Sequence, residues 1–156
     1  MNPSDVPQDG PAEHLRFAAY LCELTQTTDA EETALAKKVL TDPDQTMAHS
    51  AVLQHLDRRA TALHPGTAFE PWAEAMTQAV ERHPFLTRRL QEWSLLRAIT
   101  LGQPWHPDDL LESSDWLQRK VAATSCSEAL QILAENGHTK RIRNIARTSL
   151  ERPSNH

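Results

Sequence analysis

Apolar residues recur at intervals of three and four along almost the whole chain, and no stretch sustains the alternation, rich in Val, Ile, Thr and aromatics, that marks a strand. The pattern predicts an all-α protein of about eight short helices. Pro11, at a first helical position, leads into Leu15, Ala18, Ala19, Cys22 and Leu24 and sets a first helix over residues 11–26. Asp29-Ala-Glu-Glu32 reads as a capping box, with Asp29 accepting a free backbone N–H and Glu32 reaching back, and opens a short helix to about Leu40. Asp42-Pro-Asp-Gln45 repeats the device ahead of a long helix striped by Met47, Ala51, Val52, Leu56, Ala60 and Leu63. His64-Pro-Gly66 ends that helix, and Thr67-Ala-Phe-Glu70 with Pro71 starts the next around Trp72, Ala75, Met76 and Val80.

Pro84 opens a fifth helix that presents Leu86, Leu90, Trp93, Leu96 and Ile99 before Gly102. Two prolines between Gln103 and Glu112 leave room for one helical turn after Pro107. Ser113 or Ser114 caps a sixth helix with Trp116, Leu117 and Val121. Ser125 to Glu128 cap a seventh with Leu130 and Leu133, Gly137 closes it, and Thr139 starts the eighth. The organisation expected is a flexible lead over residues 1–10, a single helical domain over 11–150, and a frayed end over 151–156.

Composition narrows the function classes. With 156 residues the chain is long enough to build a core without staples. Its two cysteines, Cys22 and Cys126, form no disulfide framework and lie on apolar helical sides, where small buried thiols are commonest; a reducing cytoplasm is the expected location. No segment approaches the ~20 uninterrupted apolar residues of a membrane span, since Arg97 interrupts even Trp93 to Leu101. The net charge of −5 argues against a dedicated nucleic-acid binder, but the charge is uneven. Residues 1–80 carry five basic against twelve acidic side chains and residues 81–156 eleven against nine, so an anionic partner would dock on the C-terminal half.

The candidate contact residues are therefore basic. On the last helix Lys140, Arg143 and Arg147 project to one side and Ile142, Ile145 and Ala146 to the other. With Arg141, and with Arg119 and Lys120 on the sixth helix, they could grip phosphates or an acidic protein. Lys140 and Arg141 stand at a helix N-terminus, against the macrodipole, a mild conflict that favours a role in contact. Trp72, Trp93 and Trp116 lie on apolar helical sides and are expected in the core, whereas Trp105, between Pro104 and His106, either plugs a gap or anchors a partner. Trp93, Trp105 and His106 are the residues of a conceivable small-molecule pocket.

Assembled chemistry is missing from the pattern. His49 and His55 are six apart and share no helical face, and there is no His-Glu-x-x-His, so no metal site is expected; His106 with Asp108 and Asp109 is explained by capping. No Gly-x-Ser-x-Gly and no glycine-rich phosphate loop occurs, and no base is placed beside Cys126. No catalytic residue and no cofactor are expected.

Two segments share a design. A short helix, a tight turn and a second helix run through Leu40, Pro43 and Met47-Ala-His-Ser-Ala51. The same order runs through Asn136, Gly137 and Ile142-Arg-Asn-Ile-Ala146, with small residues at matching depths in the second helix. Over residues 30–63 and 113–150 this resembles the HEAT-type helical repeats. The resemblance implies an irregular hairpin stack that presents surfaces to other macromolecules; an orthogonal helical bundle is the alternative architecture. The expected function is a non-enzymatic protein-binding module, with nucleic-acid binding through the basic helix as the second reading. A small ligand-binding protein is the third.

Overall fold

The computed structural model describes residues 9–152. Among these the chain forms nine α-helices and no strand, and the protein is all-α. In order they are α1 (Asp9–Gln26), α2 (Glu32–Val39), α3 (Gln45–Leu63), α4 (Phe69–Ala79), α5 (Pro84–Leu101), α6 (Pro107–Leu111), α7 (Asp115–Ala122), α8 (Ser127–Asn136) and α9 (Lys140–Glu151). The helix beyond the expected eight is α6, the short turn expected after Pro107. Residues 1–8 of the expected lead, and 153–156 of the expected frayed end, lie outside the described residues, while Asp9, Gly10 and Glu151 are helical.

The chain divides after Leu90 into two compact units, with α5 contributing to both. In the first unit α1 packs on α3 and α2 packs on α4, with further contacts of α2 to α1 and α3. Its core holds Leu24, Val39, Val52, Leu56, Phe69, Met76 and Leu86. In the second, α9 lies along α8 and against α7, and α6 packs on α7 and α8, around Trp93, Leu110, Leu117, Leu130, Leu133 and Ile142. Each such side chain stabilises its unit by about 1.5–3 kcal/mol through burial.

The first helix faces the opposite way from the sequence expectation. Leu15 is 71% exposed, and Ala18, Ala19 and Cys22 are also at the surface; Phe17, Tyr20 and Leu21 are half-buried instead, and of the expected residues Leu24 alone is buried. α1 carries two apolar stripes, and polar anchoring selects between them. Arg16 Nε and Tyr20 Oη donate to the buried carboxylate of Asp42 at 3.1 and 2.7 Å, which turns the Tyr20 side inward. Cys22 is therefore an exposed thiol and Cys126 a half-buried one.

Several expected caps also move. Asp42 does not cap α3; Asp44 does, accepting from the Met47 N–H, while Asp42 accepts from the Asp44 N–H and forms the turn before it. Hydrogen bonds from Tyr20 and the Asp44 backbone, and the Arg16 guanidinium, hold the Asp42 carboxyl below its ordinary range. Neither Asp29 nor Thr67 caps: α2 and α4 start at Glu31 and Ala68 without a side-chain bond. Ser125 does not cap either, because α8 begins after Cys126. Ser114 and Thr139 cap as expected, accepting from the Leu117 and Ile142 N–H groups. Gly102, at φ +70°, ends α5 in a left-handed turn that lets the Gln103 N–H reach the Ala98 carbonyl at 2.8 Å.

Candidate functional site

The turn between α8 and α9 positions the basic helix. A Cβ at Gly137 would stand 2.7 Å from the Leu133 carbonyl and 2.8 Å from Ile142 Cγ2, so only glycine lets the two helices approach this closely. Thr139 then caps α9, and Ile142 and Ala146 bury fully. That orientation divides the cations into two groups. Arg143 Nη1 donates to the Gly137 carbonyl at 2.9 Å. Arg147 Nη2 donates to the Ala134 carbonyl at 3.1 Å and its Nη1 to Asn144 Oδ1 at 3.3 Å. Both guanidiniums thus satisfy carbonyls that the end of α8 leaves open, at the negative end of its dipole.

Lys140 and Arg141 are turned away from α8. They are exposed and, with Arg152, border a cleft of about 540 Å³ along the other flank of α9. Ala123, after the end of α7, and Ile145 give the cleft apolar surface, and Asn144 and Thr148 give it hydrogen-bonding groups. Ser149, also on its wall, donates to the Ala122 carbonyl at 2.6 Å and ties α9 to the end of α7. Lys140, Arg141 and Arg152 make no side-chain ion pair among the described residues.

The other residues singled out in the sequence do not join this cleft. Arg119 and Lys120 occupy the last turn of α7, where their charge favours its dipole. The Lys120 ammonium stands 5.3 Å from the Trp93 ring and 5.4 Å from the Trp116 ring, and these two indoles meet edge to face at 5.5 Å. Trp93, 2% exposed, is therefore core, while Trp116 is half-buried. Trp105 is half-buried, and His106 is exposed at the N-cap of α6, making no cap bond.

The structure also assembles clusters that spacing along the chain conceals. Glu32, 3% exposed, accepts from His55 Nε2, from Arg59 Nε at 3.0 Å and from Trp72 Nε1 at 3.0 Å, joining α2, α3 and α4. Burial would raise the Glu32 carboxyl, but the bonds from His55, Arg59 and Trp72 outweigh it and lower the group to about 2. Arg58 Nη2 donates to His55 Nδ1 at 2.7 Å, so the imidazole links Arg58 to Glu32. Both ring nitrogens of His55 are thereby engaged within the protein, tying α3 to α2. His49 Nε2 and His83 Nδ1 share one proton at 2.8 Å, and burial, then His49, lower the His83 pKa. His138 bridges Asp115 Oδ1 at 2.8 Å and the Leu111 carbonyl at 2.6 Å, bracing the turn before α9.

Among the described residues no helix is long and apolar enough to cross a membrane, and no group of three or more His, Cys, Asp or Glu could hold a metal ion. Compared with known proteins, the chain matches no family model, no curated protein and no solved structure. Its class is that of an all-α protein with a basic cleft beside its last described helix.

Proposed function

We propose that the protein is a non-enzymatic interaction module that binds an acidic, partly apolar protein segment in the cleft beside α9. The observation that carries the reading is that Lys140, Arg141 and Arg152 border apolar surface and make no side-chain ion pair among the described residues, whereas Arg143 and Arg147 are engaged by α8. Cations over a floor containing Ala123 and Ile145 complement carboxylates flanking small apolar side chains better than they complement a phosphate backbone, which demands a longer row of charges. The paired helices α8 and α9 support a hairpin scaffold of the HEAT-like kind. The two cysteines, neither in a disulfide, support a reducing cytoplasm.

A labelled amphipathic peptide with a Leu/Ala face and glutamates at both ends is the test probe. Its affinity should fall at least ~10-fold on joint K140E and R141E substitution, a change of about 1.4 kcal/mol or more, and stay unchanged with R119E. Failure of the peptide to bind, together with tight and salt-steep binding of a DNA duplex that R141E weakens, would overturn the proposal in favour of nucleic acid.

A further inference from the structure

We infer that His49 and His83 form a binding site for a divalent transition metal ion of the zinc, nickel or copper kind, which takes the place of the proton the two rings share. Both residues belong to the first unit, and the inference does not rest on the proposed function. His49 Nε2 and His83 Nδ1 stand 2.8 Å apart, with the ring planes at 86° and the ring centroids 4.9 Å apart. A hydrogen bond between two imidazoles aims the N–H axis of one at the lone pair of the other. Once the proton leaves, both lone pairs are directed at the same gap.

The backbone holds both rings in place. His49 follows the buried Met47 and Ala48 on α3. The His83 N–H donates to the Val80 carbonyl at 2.8 Å, and the His83 carbonyl accepts from the Leu86 and Thr87 N–H groups at 2.9 and 3.1 Å, which pins the turn before α5 on both sides. Zinc–nitrogen bonds of about 2.0–2.1 Å at a tetrahedral angle space two ligand nitrogens about 3.3 Å apart. The widening of about 0.5 Å that this requires is within the reach of two half-buried side chains, with the helices left where they are.

The pair also differs from the other clustered histidines. His55 is tied to Glu32 and Arg58, and His138 to Asp115 and the Leu111 carbonyl, so each has fixed partners of another kind. Among the described residues the rings of His49 and His83 hydrogen-bond to each other alone, and half-burial leaves the remaining coordination positions to water. The cleft of about 390 Å³ beside His83 is lined by the charges of Lys37, Glu81 and Arg82, two cations against one carboxylate. Such a wall disfavours an ion held by charge alone. Ca²⁺ and Mg²⁺ take six or more oxygen ligands and gain little from two imidazoles, whereas nitrogen donors suit Zn²⁺, Ni²⁺ and Cu²⁺.

Calorimetric titration of the chelator-stripped full chain with zinc chloride tests this. One ion per chain is expected; H49Q and H83Q should each weaken its binding at least tenfold, H106Q should leave it unchanged, and magnesium chloride should give no binding heat. Glutamine keeps a hydrogen-bonding group at each position, and circular dichroism checks the helicity of both variants. If either unfolds, NMR of the unaltered chain decides: the imidazole signals of His49 and His83 should shift together on adding Zn²⁺, while those of the other six histidines stay in place. An affinity that survives both substitutions, signals that move at other histidines instead, or no zinc binding at all overturns the inference.

Discussion

Glu32 shows how much a single side chain can carry. It sits where a capping residue was expected, yet it serves as the acceptor at the centre of three helices. Glu32→Gln would remove the charge that Arg59 faces and leave the amide to satisfy donors arranged for a carboxylate. The expected loss of stability in urea unfolding is about 3 kcal/mol. The pH dependence has a definite sign. With the folded group near 2 against an ordinary 4.5, its contribution is complete above about pH 4.5 and is lost as the pH falls toward 2. E32Q should flatten the stability profile across that window, and an unchanged acid limb would show that the carboxylate is not ionised in the folded protein.

At the scale of the element, local chemistry was legible where the partner lies within a few residues. Ser114 and Thr139 each accept an N–H three positions on, and the sequence signals this directly. Asp29 and Thr67 present the same signals but cap nothing, because tertiary partners set those helix starts: Arg59 donates to Asp29, and Phe69 and Trp72 are buried at the start of α4. S114A and T139A should each cost about 1 kcal/mol in unfolding experiments, and T67A and S125A should cost within about 0.5 kcal/mol of nothing. The facing of α1 was not legible, since Asp42 lies 26 residues from Arg16 and no periodicity encodes that pairing. The histidines escaped notice for the same reason: His49 meets His83 across 34 residues and His55 meets Glu32 across 23.

Over the whole molecule, the basic C-terminal half divides its charges between holding the fold and facing outward. The sequence identified the cations of α9 but grouped Arg143 and Arg147 with Lys140, because the helical projection shows a side chain's direction and not the carbonyls waiting beside it. R143A and R147A should each lower stability by about 1 kcal/mol by uncovering carbonyls of α8, with little effect on peptide binding at the cleft. K140E with R141E should do the reverse, and a melting temperature that drops for that pair would show those charges are structural after all.

Trp72 is the sole indole before Leu90, and Trp93, Trp105 and Trp116 all follow it. The chain thus carries its own optical labels, one set per unit. Trp72 emits beside a carboxylate, and Trp93 and Trp116 emit under an ammonium. Replacing the indoles of one unit with phenylalanine leaves the other to be watched by its fluorescence alone, so the order in which the two units melt can be read in light without attaching a dye.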